Sequence, residues 1–294
     1  MKTNHVYFKN SQNMGEIPDA RVDLALTSPP YFNVKDYAKD GYQKRAHSAR
    51  QNGQIGDIAD YELFIKELAK VWAECERALK PNGKLIVNAP LMPMQKKEYS
   101  THYNRHIFDL NADIQRSILT LPKTRMFLYD TYIWNRNNGS KGLMFGSYPY
   151  PRNFYAQNTS EFVSVYVKDG VPHNSMPKSV KEESKLTEEE WRNYTKQIWD
   201  IPAPNKKDLA FGKHSAIMPE EIVRRCVRMF TYAGDVVLDP FAGSGTTLKV
   251  AKELGRQYIG YEIMTSYRGV IRAKLLSTPQ LIAGRENHVC AKQN

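Results

Sequence analysis

Short apolar runs separated by polar connections organise this chain, and their period switches between that of strands and that of helices. Arg21-Val-Asp-Leu-Ala-Leu-Thr27 is mostly apolar and stops at Ser28-Pro29-Pro30-Tyr31. Two successive prolines offer no ladder N–H and cannot enter a helix interior, so this run predicts a strand that ends there. From Asp60 the spacing changes. Tyr61, Phe64, Leu68, Val71, Trp72, Cys75 and Leu79 share one helical face, and Pro81-Asn82-Gly83 is expected to end that helix. Lys84-Leu-Ile-Val-Asn88 reads as the next strand. Strand, helix, strand is the unit of a parallel sheet with helices on its faces.

Further along, Tyr129–Trp134 and Glu161–Val167 predict two more strands. From Lys168 to Ile198 the composition turns to Lys, Glu, Ser and Pro. Thr187 and Glu190 have capping-box spacing there, with Trp191, Tyr194 and Ile198 expected on one face of a short helix. Pro219 followed by Glu220 and Glu221 opens another helix. Asp235–Leu238 is a buried strand that meets Asp239-Pro-Phe-Ala-Gly-Ser-Gly-Thr-Thr247, with a helix continuing through Leu254. Gln257–Gly260 is a strand ending at Tyr261-Glu262. The expected organisation is one α/β domain in two halves, 1–168 and 199–276, with a small insert at 169–198 and a tail at 277–294.

Composition narrows the partners. Apolar residues make up 41% of the 294 and charged residues 25%, which is ordinary for a folded globular chain. Lys and Arg outnumber Asp and Glu by 42 to 31, a net +11. Such an excess points to a polyanion, nucleic acid or a membrane surface. Cys75, Cys226 and Cys290 are widely spaced and odd in number, which speaks against a disulfide scaffold or a cysteine zinc site, and no motif calls for a metal. The start, MKTNHVYFKN, lacks a signal peptide's apolar stretch, and no apolar run approaches the roughly 20 residues that span a bilayer. The expected location is the cytoplasm, with no membrane partner.

Two segments carry chemistry. Asp239–Thr247 is a strand, a tight glycine turn and a helix start, which together cradle an anionic group. Glu262 follows Gly243 by 19 positions, at the end of the next strand, where a carboxylate accepts both hydroxyls of a ribose. Leu248 replaces the third glycine of the dinucleotide fingerprint, so a ligand with a ribose and a small carboxylate fits better than one with a pyrophosphate. An ordinary glycine-rich turn is the plainer alternative. Thr27-Ser28-Pro29-Pro30-Tyr31 lies at a strand's C-terminal end. Its prolines fix the backbone so that the carbonyls of Ser28 and Pro29 can accept from an exocyclic amine, while Tyr31 offers a flat face to a planar base. A strand cap with a packed tyrosine is the alternative there.

Together, Thr27–Tyr31 and Asp239–Thr247 resemble the catalytic motif [DNS]PPY and the DPFxGSGTT-like cofactor motif of amino-methylating DNA methyltransferases that use S-adenosylmethionine. The resemblance extends to Phe8–Ser11, Pro18-Asp19, Ile133–Arg136, Glu161–Lys168 and Lys213–Val223. Catalytic motif precedes cofactor motif, as in the beta class. The resemblance implies a circularly permuted Rossmann-like α/β methyltransferase fold. It implies catalysis by Ser28, Pro29, Pro30 and Tyr31. It implies S-adenosylmethionine held by Asn10, Lys213, His214, Ser215, Asp239, Phe241, Gly243, Ser244, Gly245, Thr246 and Glu262. Asn10 departs from the family's usual aspartate, and an amide oxygen accepts a hydrogen bond more weakly than a carboxylate.

Serine in the first motif position resembles the cytosine-N4 enzymes, with adenine-N6 as the alternative. The implied partners are double-stranded DNA, a cognate restriction endonuclease and a second copy of the chain. Candidate DNA contacts are Lys44, Arg45, His47 and Arg50 in the loop after Tyr31. Lys178, Lys181, Lys185 and Arg192 in the insert are the others, the insert being the candidate target-recognition region. A nicotinamide-dependent oxidoreductase would use the glycine cradle but leave Ser28–Tyr31 unexplained. A non-catalytic nucleic-acid-binding relative would keep the charge but has no reason to retain both motifs.

Overall fold

In a computed structural model of the chain, the described residues are 1–32, 53–93, 107–138, 147–154, 156–172, 176–212, 214 and 216–278. They build one nine-stranded sheet. Its strands are β1 (His5–Tyr7), β2 (Val22–Thr27), β3 (Leu79–Pro93), β4 (Ile107–Asp109), β5 (Met126–Asn135), β6 (Ser160–Lys168), β7 (Ile198–Asp200), β8 (Val236–Asp239) and β9 (Gln257–Tyr261). The spatial order is β1-β9-β8-β2-β3-β6-β5-β7, with β4 paired to β3. Pairing is parallel from β1 through β3 and between β5 and β7. β6 runs antiparallel to both its neighbours and β4 antiparallel to β3, so the expected parallel sheet is a mixed one.

Alternation along the strands builds two cores. Val22, Ala25, Leu85, Val87, Leu238 and Ile259 face one layer. There they meet α1 (Tyr61–Ala78) through Phe64, Leu68, Val71 and Trp72, and α2 (Leu110–Leu119) through Ile114 and Ile118. Leu24, Leu26, Ile86, Val163, Val165 and Val237 face the other. That layer holds α5 (Glu220–Phe230), α6 (Thr246–Glu253) and Ile271 of α7 (Arg268–Leu276). The helical face expected after Asp60 is therefore real, and Asp60 caps it by accepting from Leu63 N.

The end of α1 differs from expectation. The helix stops at Ala78, and Pro81-Asn82-Gly83 lies inside β3. Asn82 takes φ 62°, and the β2–β3 register shifts between Val22 and Leu24. A Cβ at Gly83 would lie 2.9 Å from the Lys80 carbonyl oxygen, so the tripeptide forms a bulge that only glycine completes. The short β1, β4 and α2 carry too few periodic residues to be read beforehand.

The 169–198 segment holds α3 (Lys178–Glu183) and α4 (Glu188–Tyr194), and the Thr187–Glu190 capping box is formed in full. Its expected apolar face is not. Tyr194 is buried, but Trp191 is 62% exposed and Ile198 belongs to β7. The helices dock on the C-terminal end of α5. Arg228 donates to Glu190 and to the Lys185 carbonyl, and Ser184 Oγ accepts from Ala233 N. That end of α5 leads into the N-terminal end of β8, so α3 and α4 sit at the end of the sheet away from Asp239.

Chain order makes the opposite end the natural place for a ligand. After β2 the chain moves outward to β3, and after β8 it moves outward to β9 on the other side. The sheet's topological switch point therefore lies between β2 and β8, and ligands bind in the crevice outside the strands' C-terminal ends there.

Candidate active site

The two motifs meet at that crevice. Thr27 Oγ1, the last residue of β2, donates to Asp239 Oδ1, the last residue of β8, at 2.7 Å. Asp239 also accepts from Phe241 N at 3.0 Å and from the Thr247 hydroxyl. Burial pushes its carboxyl up to about 6 against these hydrogen bonds. Asp239 is thus a clamp tying the catalytic strand to the glycine loop.

The loop is shaped by Gly243 and Gly245. Gly243 takes φ +50°, and a Cβ there would lie 2.7 Å from His214 Nε2. Gly245 takes φ +83° and caps α6 while resting on Ile271. The missing third glycine of the dinucleotide pattern has a counterpart across the interface. Leu248 is fully buried over Gly260 of β9, where a Cβ would lie 2.7 Å from Leu248 Cδ1. Close helix–strand packing is kept, with the small residue on the strand.

Glu262, one residue beyond β9, turns into the cleft with 7% exposure. Its Oε2 accepts from Gly243 N at 2.8 Å and its Oε1 from Met264 N at 2.7 Å. Burial pushes it up to about 7, opposed by those N–H donors and reinforced by Asp239. Asn10 lines the same cleft. Its Oδ1 accepts from Gln12 N at 2.8 Å, and its Nδ2 donates to Gln12 Oε1 and to the Gly53 carbonyl.

Across the crevice, Ser28, Pro29, Pro30 and Tyr31 form the other wall. Tyr31 OH donates to Glu161 Oε2 at 3.0 Å, and Ser28 Oγ lies 3.2 Å from Tyr31 OH. Glu161 is buried and accepts from Asn88 Nδ2 at 2.6 Å, with Arg136 Nη1 at 3.4 Å. Because the Tyr31 hydrogen goes to a carboxylate, the Ser28 hydrogen goes to the Tyr31 oxygen. Ser28 Oγ is left with its lone pairs facing outward, as an acceptor.

One cleft of about 1020 Å³, open mouth included, therefore gathers Asn10, Ser28–Tyr31, His214, Phe241, Gly243, Ser244, Thr246 and Glu262. Two expected cofactor residues do not line it. Asp239 faces inward as a clamp, and Gly245 lies behind the loop. Lys44, Arg45, His47, Arg50, Lys213 and Ser215 lie outside the described residues. Lys178, Lys181, Lys185 and Arg192 stand on α3, α4 and the turn between them, at the far end of the sheet. Lys185 and Arg192 pair there with Glu182 and Glu188. The structure does not bring these four to the cleft.

Glu161, Asn88, Arg136 and Lys274 were not legible as site residues. The signal for Lys274 was present: it shares helical spacing with the buried Val270 and Ile271.

The donors fit S-adenosylmethionine. Glu262 suits a ribose diol, and the start of α6 suits a carboxylate. Phe241, Ile263 and Met264 line an apolar wall suited to a ring.

A family described as DNA methylase matches residues 22–272. The Type II methyltransferase M.MthZI of Methanothermobacter thermautotrophicus is 30% identical over 291 residues, covering 96% of this chain and 79% of the relative. M.MjaI of Methanocaldococcus jannaschii is 30% identical over 286 residues, covering 93% and 91%. Among solved structures, the DNA modification methylase TTHA0409 of Thermus thermophilus, in complex with S-adenosyl-L-methionine, superposes with TM-score 0.69. It is 28% identical, and the match covers 94% of each chain. The PvuII cytosine-N4-specific DNA methyltransferase shares the fold, with TM-score 0.62 at 17% identity, covering 99% of this chain and 89% of that one. With the crevice, the clamp and the glycine loop in place, the chain belongs to this DNA methylase family and is an S-adenosylmethionine-dependent DNA methyltransferase of the N4/N6 type.

Proposed function

We propose that this enzyme methylates the exocyclic N4 of cytosine in double-stranded DNA, as the modification half of a restriction-modification pair in the cytoplasm. The observation that carries the reading is the Thr27–Asp239 bond, which places an amine-accepting wall and a ribose-binding carboxylate in one cleft. Type II methyltransferases among the relatives support the pairing with a restriction endonuclease.

S-adenosylmethionine supplies an electrophilic sulfonium methyl group. The chain's part is to present the amine. Its lone pair is delocalised into the base ring and is a poor nucleophile. Ser28 Oγ, committed as an acceptor by the Tyr31–Glu161 chain, takes one N–H, and a carbonyl of the Ser28-Pro29 backbone takes the other. This draws the nitrogen toward tetrahedral geometry. Positioning of two reactants in this way contributes up to roughly 7–11 kcal/mol. Unstacking the base costs a few kcal/mol, part of which stacking on Tyr31 offsets.

Buried thiols support nitrogen as the methylated atom. Carbon methylation of cytosine needs a cysteine nucleophile, but Cys75 and Cys226 are fully buried in the two opposite cores. Burial pushes the Cys226 thiol up to about 12.

DNA contact is better supported at the β5–β6 connection than at α3 and α4. That connection leaves and re-enters the sheet beside Glu161, and Arg136 ties its two feet through the carbonyls of Asn158 and Thr159. It carries Arg152 and the exposed rings of Tyr148, Tyr150 and Phe154.

Adenine-N6 is the second reading, because the same carbonyls accept from any exocyclic amine. Incubating duplex DNA with methyl-labelled cofactor tests the proposal. Label should enter DNA with wild-type enzyme and be lost with Tyr31→Ala; unlabelled DNA from a cofactor-binding enzyme would overturn it.

A further inference from the structure

Lys274 of α7 has a side chain only 1% exposed. Its ammonium lies 2.8 Å from Thr246 Oγ1, 3.3 Å from Ser244 Oγ and 3.0 Å from Asp208 Oδ1. An ammonium donates and never accepts. Ser244 and Thr246 therefore receive on an oxygen lone pair from Lys274 and keep their own hydrogens for another acceptor. The two hydroxyl oxygens are 3.4 Å apart, a long contact that either hydrogen can leave. Both residues line the cleft at the start of α6, where the helix dipole favours an anion. Asp208, the third partner, belongs to the connection that brings His214, Ala216 and Met218 to the cleft wall.

We infer that Lys274 is a positioning residue for the cofactor: it holds the hydroxyls of Ser244 and Thr246 as donors toward the carboxylate at the methionine end of S-adenosylmethionine. The inference rests on the cofactor assignment and deepens it. No basic side chain need touch the carboxylate, because the buried ammonium acts one bond behind the two hydroxyls. A purely structural Lys274–Asp208 pin would instead support the loop equally for every ligand.

Ligand chemistry separates the two roles. Decarboxylated S-adenosylmethionine keeps the adenosine, the sulfonium and the amine but lacks the carboxylate. Binding of both compounds to the full chain is measured by calorimetry for wild type and Lys274→Met. A Lys274→Met/Asp208→Asn variant is added because Asp208 alone would be left as an uncompensated buried charge. Ser244→Ala, a small change in packing, gives a third test independent of the ion pair. S-adenosylmethionine affinity is expected to fall about tenfold or more, as for loss of a hydrogen bond to a charged group. Affinity for the decarboxylated compound should stay at its wild-type value. Equal losses for both ligands, or no loss for either, would overturn the inference. A wild-type protein that binds neither compound would instead overturn the cofactor assignment beneath it.

Discussion

Lowering the pH from about 8 to about 5 should weaken cofactor binding through Glu262. This carboxyl has an ordinary value of 4.5, and burial raises it to about 7 in the folded chain. Ribose hydroxyls donate to the ionised form, so the complex holds Glu262 at a lower value than the free protein does. Affinity is then full above pH 7 and falls as the pH drops through about 7, by up to tenfold per unit. At pH 5, about two units below, the cost is about 2.7 kcal/mol, or roughly 100-fold in Kd. Stability of the free protein runs the other way. A raised carboxyl contributes stability that is present below 4.5 and lost as pH rises through 7, about 3 kcal/mol in all. Bound cofactor offsets that loss. Calorimetry across this range, on wild type and Glu262→Gln, checks the argument. The cofactor's own amine titrates near pH 8 with both proteins, so the difference between the curves isolates Glu262. Parallel pH profiles for the two would refute the reasoning.

Three further outcomes are expected. Tyr31→Ala should lower the methyl-transfer rate by an amount reflecting lost stacking of about 1–3 kcal/mol, with cofactor Kd nearly unchanged by calorimetry. Gly243→Ala places a Cβ against His214 at a φ of +50°, so cofactor affinity should fall and the melting temperature drop, with backbone strain alone costing about 1–2 kcal/mol. DNA binding should show a log–log salt slope of about −0.9 per phosphate contacted; Lys178→Ala/Lys181→Ala should leave that slope unchanged, because α3 stands at the far end of the sheet, whereas Arg152→Ala should reduce it.

What the sequence made legible follows from how local the signals are. The double proline, the glycine turn and the amphipathic face of α1 are set by a few neighbouring residues, and each appears where its spacing places it. Glu262 was legible because a strand of known length ends there. The partners that complete the catalytic wall are not local. Glu161 lies 130 positions from Tyr31, and Asn88 lies 73 from Glu161. Only the antiparallel pairing of β3 with β6 brings them together. Asp239 was placed at the ligand by its motif, but its contact with Thr27 spans 212 positions and turns it inward. The basic insert misled for a related reason. Charge marks a solvated surface as readily as a DNA-binding one, and nothing local says which end of the sheet α3 and α4 occupy.

The central claim is that Ser28–Tyr31 presents an exocyclic amine, and that this amine belongs to cytosine. Duplex DNA methylated by the enzyme with isotope-labelled cofactor is digested to nucleosides and separated by mass spectrometry. The account predicts label in N4-methylcytosine. Label in N6-methyladenine would contradict the cytosine assignment while leaving amine presentation standing, and label in 5-methylcytosine would contradict both.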